Sequence, residues 1–282
     1  MAVWFVVLTI LCGWHSVARA EETPFLPADE GWQGLTQLIA LCRDQLGSDR
    51  VLVRADVDWG ELQPTDALMV LHPQTDLDPL EFEAFLREGG RAVLLDDFGV
   101  GDEILSRYGI HRTGPPVHPA RVLRGNSQLA IALPTELPAS HAPHPLVAQV
   151  DAVVTNHPTG LTNPGLTPLL GIPNRSAPDT PLALLGVVDA GRLVAVADPS
   201  VFINQMLRYP GNRQFAKSLA GYLLEREGTA GATGRLFIAS NRFGQTGIYH
   251  GRKGLLDSLR LALQQLVEGL AELLQGEAQR VQ

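Results

Sequence analysis

Short apolar runs alternate with amphipathic stretches along most of this chain. Runs at 50–54, 66–72 and 91–96 predict buried strands, because a strand covered on both faces is apolar at consecutive positions. Residues 34–46 carry apolar side chains three and four positions apart, which predicts a helix that directs Cys42 into the core. A strand, a helix and a second strand in this rhythm predict a parallel sheet and an α/β fold.

A second helix is predicted to begin at Asp78-Pro79. An aspartate suits the N-cap position, and a proline suits the first helical position. The apolar face of this helix is predicted to hold Leu80, Phe82, Phe85 and Leu86. The strand at 91–96 follows, and a short helix over 102–108 comes after it. Asp96 and Asp97 then fall at the carboxyl end of that strand, where open α/β sheets place their ligands.

Residues 114–181 have a different texture, rich in proline and histidine. Strands are predicted there at 123–133 and 149–155, and we interpret the segment as an insertion folded over one edge or the mouth of the sheet. The regular pattern returns at Pro181. It predicts a hairpin of 182–188 and 192–197 that turns through Asp189-Ala190-Gly191.

Asp198-Pro199-Ser200 is predicted to open a helix over 201–207. Asn212 is predicted to cap a longer helix that ends at Glu225, and 236–239 to form a last strand. Asn204 is interpreted as a structural residue. These elements delimit an α/β domain at 21–240.

Residues 241–282 are predicted to form a turn and a leucine-rich amphipathic helix. Its leucines recur at spacings of three and four, as in a coiled-coil seam: Leu256, Leu259, Leu263, Leu266, Leu270 and Leu273. This helix could fold back onto the domain, or pair with a second copy or a partner helix. Binding to a membrane surface is disfavoured, because the helix lacks a basic face.

Composition and the N-terminus bear on location and partners. The formal net charge of −8 over 282 residues disfavours a duplex nucleic-acid binder that relies on phosphate neutralisation. An apolar run over 3–14 and the small residues of Ala18-Arg19-Ala20 predict an export signal at 1–20, cleaved before Glu21. An uncleaved anchor is the alternative. We therefore expect an exported, periplasmic protein of the bacterial envelope, in which Cys42 is the sole mature cysteine.

Three segments, 71–80, 85–99 and 191–204, together resemble the domain of unknown function 4350 family over residues about 30–227. The resemblance implies a fold similar to class I glutamine amidotransferases, with a flavodoxin-like sheet and helices on both faces. It also implies an exported or membrane-associated protein. It implies no chemistry, because the family has no established activity.

The sequence shows whether the residues that amidotransferase chemistry requires are present. An amidotransferase needs a cysteine in the turn after the central strand, activated by a histidine–acid pair. The matching turn, Asp96-Asp97-Phe98-Gly99, has none, and no serine elbow is present. Gly99 and Gly101 do not complete a dinucleotide motif, because Ile104 occupies the third glycine position and acidic residues surround it. The sequence therefore favours a protein that is not an enzyme and predicts no cofactor.

Two functions remain open. The first is a non-catalytic binding or scaffolding component of an envelope assembly, which binds a protein partner or forms a homo-oligomer. Its ligand or partner surface would comprise Asp96, Asp97, Phe98, Gly99 and Asp198. The second is a metal-assisted hydrolase in which Asp97, Asp198 and His157 bind a divalent cation or supply an acid and a base. A purely structural reading has Asp97 and Asp198 capping the helices that follow them, with His157 an ordinary loop residue.

Overall fold

A computed structural model describes residues 23–225, 234–251 and 263. The α-helices within these residues are α1 (Thr36–Leu46), α2 (Pro79–Arg87), α3 (Asp102–Arg107) and α4 (Pro210–Leu224). The strands of the first half are β1 (Val51–Val53), β2 (Asp56–Asp58), β3 (Ala67–Leu71), β4 (Arg91–Leu95), β5 (His111–Thr113), β6 (Val122–Leu123) and β7 (Asn126–Pro134). The later strands are β8 (Val153–Val154), β9 (Gly160–Thr162), β10 (Thr167–Ile172), β11 (Thr180–Val188), β12 (Gly191–Val196), β13 (Leu236–Ser240) and β14 (Gly244–Thr246).

One mixed sheet of ten strands forms the centre of the molecule. Its spatial order is β1-β13-β3-β4-β12-β11-β10-β7-β6, and β8 pairs with β7. The five strands from β1 to β12 are parallel to their neighbours, whereas those from β12 onward pair antiparallel. The predicted α/β class and parallel core are confirmed, and so is the hairpin of β11 and β12.

Helices cover both faces of the parallel half. Arg91 donates to the carbonyl of Tyr222 in α4, so the odd-numbered positions of β4 face that helix. A Cβ atom placed on Gly101, which precedes α3, would lie 3.1 Å from the side chain of Leu94, so the even-numbered positions face the other layer. This double cover explains why every residue of β3 and β13 is buried and why these strands have continuous apolar sequences.

β13 comes last in sequence among the parallel strands of the central sheet, yet it lies inside the parallel half of the sheet and not at its edge. β13 lies between β1 and β3, although it follows them by more than 160 residues in the chain. Numbered along the chain, the parallel strands stand in the order 1-5-2-3-4. The flavodoxin order 2-1-3-4-5 results only if β13 is counted first, so the connectivity differs from that of a flavodoxin.

The segment at 114–181 extends the sheet at one edge, and its loop at 155–159 packs against the carboxyl end of β12. β10 joins β11 to β7, and β9 pairs with β5 in a small separate sheet. Neither β9 nor β10 is predicted by the sequence. Pro168 and Gly171 hide the strand pattern of β10, because proline and glycine are unusual inside a strand. The strand accommodates them through register shifts at Pro168/Leu170 and Leu170/Gly171.

Two asparagines hold elements together. Asn204 is structural, as predicted: its Oδ1 accepts from the backbone N–H of Gln37, which caps α1 from a distant part of the chain. Its Nδ2 donates to the carbonyls of Asp29 and Gly31. The prediction that Asn212 caps α4 is wrong. Asn212 lies inside that helix, fully buried, and its amide bonds both backbone groups of Val154.

Other local predictions need correction. Residues 201–207 do not form one helix but belong to two 3₁₀ turns, Pro199–Phe202 and Met206–Arg208. Leu80 is 68% exposed, whereas the other three apolar residues predicted for α2 are buried. Of the six C-terminal leucines, Leu263 is helical and exposed, and the other five lie outside the described residues, as does the predicted export signal. No helix of the described part of the chain is long and apolar enough to cross a membrane.

The capping role of Asp78 gives a stability prediction. Its Oδ1 accepts from the N–H of Leu80 at 2.9 Å and of Glu81 at 3.2 Å. We expect Asp78→Ala to lower the free energy of unfolding by about 1 kcal/mol, the usual cost of a lost N-cap, in a urea titration. Asp76→Ala removes an exposed carboxylate two residues upstream and is the matched control. Equal losses in the two variants would contradict the capping role.

Candidate functional site

Four strand ends meet at one rim of the sheet. Leu71 pairs in register with both Leu95 and Ser240, and Leu95 pairs with Val196. The residues that follow these positions therefore stand side by side at the carboxyl ends of β3, β4, β12 and β13. They include His72, Asp96, Asp97, Asp198 and Asn241. We call this set the carboxyl rim.

Asp96 organises the turn between β4 and α3. Its Oδ1 accepts from the N–H of Gly99 at 2.7 Å, and its Oδ2 accepts from the N–H of Gly101 at 2.8 Å. A Cβ atom on Gly99 would lie only 2.5 Å from Oδ1, so this close approach requires glycine. Asp96, and not Asp97, therefore holds the turn that opens α3, which corrects the capping role considered for Asp97.

Arg112 approaches the same carboxylate from β5. Its Nη1 lies 3.4 Å from Asp96 Oδ2, and its Nη2 donates to the carbonyl of Gly99 at 2.9 Å. Burial raises the pKa of Asp96, while Arg112 and the two backbone donors oppose that rise. The carboxylate is thus fully engaged by the protein itself.

Asp97 is the second of the two aspartates in the turn that follows β4. Its Oδ1 accepts from the N–H of Phe98 at 2.8 Å and lies 3.4 Å from His72 Nδ1. The histidine adopts a positive φ of 45°, rests its ring against Phe25 at 4.9 Å and directs Nε2 to Gln74. His72 is thereby fixed on both sides, with Nδ1 facing the two aspartates.

His72, Asp96 and Asp97 offer ligand atoms that all lie within 4.8 Å of one another, which is close enough for a shared cation. It is the one such trio among the described residues. The sequence points to both aspartates but not to His72, although that residue directly follows a predicted strand. Arg112 has no local signal, because tertiary pairing of β5 with β9 places it.

Asp198, the rim residue that comes from the end of β12, is completely buried. Its Oδ2 accepts from the N–H of Asn156 at 2.6 Å, and its Oδ1 accepts from the N–H of Ser200 at 2.9 Å, so it caps the 3₁₀ turn that follows. Burial raises the pKa of Asp198 well above its usual range, and the neighbouring charge of Asp97 raises it further. Such a carboxyl favours its neutral form.

His157 lies on the loop beside that cap. It is exposed, with a φ of 61°, and its Nδ1 lies 3.0 Å from the side-chain oxygen of Asn156. The grouping of Asp97, Asp198 and His157 stays a prediction. The trio that the structure brings together shares only Asp97 with it.

Exposed apolar side chains and a groove adjoin the rim. Phe98 is 70% exposed although it directly follows the buried Asp97, and Val100 is 38% exposed. A groove of about 960 Å³ opens beside His72 at the ends of β1, β3 and β13. The lead-in over 23–28 forms its wall, held by bonds from Ser240 Oγ to the carbonyl of Phe25 and from Asn241 Nδ2 to that of Pro24.

These features define a mixed α/β protein with a polar rim at the carboxyl ends of a parallel sheet. The sequence profile of the domain of unknown function 4350 family, DUF4350, matches residues 27–220. The chain therefore belongs to that family. No curated protein matches it.

Three solved structures are similar to part of this chain. The structure described as the mmIFT52 N-terminal domain aligns with 57% of this chain and 78% of its own, at 16% identity and a TM-score of 0.44. The β-galactosidase from Bacillus circulans sp. alkalophilus aligns over 58% of this chain and 23% of its own, at 13% identity and a TM-score of 0.40. The β-galactosidase from Rahnella sp. R3 aligns over 57% of this chain and 23% of its own, at 14% identity and a TM-score of 0.38. At these values the similarities carry no functional argument.

The burial of Asp198 gives a pH prediction. A folded-state pKa raised above 3.8 means that the folded chain holds a proton which the unfolded chain releases. The free energy of unfolding of the wild type, minus that of Asp198→Asn, should therefore fall as the pH rises above 3.8 and through the folded-state pKa. Urea titrations of both proteins over a pH series measure this difference. A difference that is flat or rises with pH would contradict the assignment.

Proposed function

We propose that this chain is a non-catalytic, exported domain of amidotransferase-like fold that binds a protein partner in a bacterial envelope assembly. The observation that carries the proposal is the turn after β4. In an amidotransferase-like fold this turn would carry the nucleophile, and here the Asp97 carboxylate accepts from the N–H of Phe98. Phe98 itself is exposed at the tip. The turn thus has the chemistry of a contact surface.

Thiol catalysis has no support among the described residues. Cys42 lies on α1 with no exposed surface, and burial raises the pKa of its thiol to about 12. A thiol with that pKa is almost entirely protonated at neutral pH, and the thiolate is the nucleophile. Asp96 and Asp198 each accept two backbone N–H groups, so both serve the fold first.

The exposed surface indicates the kind of partner. Aromatic side chains are the usual anchors of protein interfaces, and Phe98 offers its ring to solvent. Asp102 and Glu103 stand exposed in the first turn of the adjoining helix. A partner with an apolar pocket bordered by basic side chains would match this surface. The export signal would deliver the domain to the envelope, and the leucine-rich helix would dock or oligomerise it.

Site-specific photocrosslinking in the native host tests the proposal. A benzophenone amino acid at position 98 should give a discrete adduct in the envelope fraction. The same probe at Val187 should give none. Val187 is 65% exposed, but it lies beside the β11–β12 turn at the opposite end of the sheet. An adduct of twice the chain mass would identify a second copy as the partner. Equal labelling from both positions, or none from 98, would overturn the proposed surface.

The metal-assisted hydrolase is retained as a second candidate on one observation, the close approach of His72, Asp96 and Asp97. A cation there would have to compete with Arg112 and two backbone donors for Asp96. The ion pair that His72 can form with Asp97 accounts for the cluster without a metal. These competing contacts are the reason that the binding role leads.

Calorimetric titration with zinc, manganese and magnesium separates the two candidates. Under the binding proposal, the wild type should take up no more metal than Asp97→Asn, because the cluster is satisfied by its own contacts. Asp76→Asn, which alters an exposed carboxylate, controls for non-specific uptake. One ion per wild-type chain, lost in both Asp97→Asn and His72→Ala, would favour the hydrolase.

A further inference from the structure

A second groove lies at the end of the sheet opposite the carboxyl rim. It has a volume of about 660 Å³ and lies between the first residues of β4 and β12, the outer side of α4 and the loop at 144–149. Volumes of this size are typical of small-molecule sites. The groove shares no residue with the rim or with the groove beside it.

The charge of this groove is opposite to that of the chain. Arg91, Arg192 and Lys217 line it, and Glu225 is the one carboxylate among its lining residues. The chain as a whole carries a formal charge of −8, and Lys217 is one of only two lysines in it. The charged side chains of the lining thus sum to about +2 in an acidic protein.

The two arginines are neighbours by register. Arg192 of β12 pairs with Arg91 of β4, which places them one strand spacing apart. Like charges directly opposite on adjacent strands destabilise a sheet. An anion between the two guanidinium groups would relieve that repulsion.

Local contacts hold each arginine in place. The Arg91 guanidinium lies 5.0 Å from the centre of the Tyr222 ring and donates to the carbonyl of the same residue. Arg192 Nη1 donates to the carbonyl of Gly191 at 2.8 Å, and burial raises the pKa of the Tyr222 phenol. The ring of His144 meets Tyr222 edge-on at 5.9 Å, and burial lowers the pKa of His144, which leaves it uncharged at neutral pH.

We propose that this groove, the basic groove, binds a small phosphate monoester that carries hydroxyl groups. Guanidinium groups recognise phosphate through paired hydrogen bonds, and a dianion matches the surplus charge. Gln45, Gln149 and Gln214 add amide groups that suit hydroxyl partners, although Gln214 Nε2 donates to Gln149 Oε1 at 3.3 Å. Arg91 covers one face of the Tyr222 ring, and the ring of His144 meets its edge.

The ligand chemistry could come from a soluble polyol phosphate or from a phosphatidic acid headgroup. Calorimetry of the full chain with glycerol 3-phosphate, inorganic phosphate and glycerol tests the first source. Sedimentation with phosphatidylcholine vesicles, with and without phosphatidic acid, tests the second. We expect glycerol 3-phosphate to bind more tightly than inorganic phosphate, glycerol not to bind, and added salt to weaken binding.

Two variants locate the site. Arg192→Gln and Lys217→Gln should each weaken binding about tenfold or more, since each removes a charged hydrogen-bond donor. Arg121→Gln makes the same charge change at an exposed side chain beside β6, the edge strand of the sheet, and should leave binding unchanged. Lys217 is exposed, so its variant keeps the test valid even if Arg192→Gln impairs folding.

The outcomes divide clearly. Binding to the soluble phosphate or to the phosphatidic acid vesicles that both variants weaken supports the basic groove and names its source. No binding by the wild type to either would overturn the proposal. So would an equal loss in Arg121→Gln, or an affinity for inorganic phosphate equal to that for glycerol 3-phosphate. The result is independent of the carboxyl rim, because no variant touches it.

Discussion

The pairing of β13 between β1 and β3 is the constraint on which the rest of the structure depends. It joins residues 236–240 to strands that precede them by more than 160 positions. Without it, β1 would have no partner in the sheet, and β3 would be an exposed edge with an apolar sequence, which is a hazard for aggregation. The same pairing brings Ser240 and Asn241 to the rim, where they anchor the lead-in through the carbonyls of Pro24 and Phe25.

The rim shows how the fold accommodates buried carboxylates. The carboxylates of Asp96 and Asp198 each accept hydrogen bonds from two backbone N–H groups. Because these bonds satisfy the carboxylates and the turns alike, both side chains can be buried. Asp97 contributes less to the turn: it accepts one hydrogen bond from the N–H of Phe98, and its Oδ1 lies 3.4 Å from His72 Nδ1. Under the proposed function, the turn that Asp96 holds would present Phe98 to a partner at a low cost in entropy.

Much of the fold was predictable because its signals are local. The continuous apolar runs of β3 and β4, the Asp78-Pro79 start of α2 and the turn at Asp189 each depend on neighbours in sequence. The misses depend on distant partners. Asn212 looks like a cap, yet it bonds Val154, 58 residues away. β10 carries a proline and a glycine that its bulges absorb.

The candidate site divides in the same way. The strand-end rule finds Asp96, Asp97 and Asp198, because each follows an apolar run. It does not reveal which aspartate holds the turn, since that depends on the approach of Gly99 and Gly101. The sequence does not indicate His72, because its position depends on the register of β3 with β4. It does not indicate Arg112 either, because the pairing of β5 with β9 places that residue.

The late position of β13 in the chain also bears on the order of synthesis. A ribosome must make residue 240 before the parallel sheet can acquire its second strand, and the contacts that close it span most of the chain. Long-range pairing of this kind slows folding. A chain whose central sheet is completed by a strand that is synthesised this late stays unfolded for longer during its synthesis.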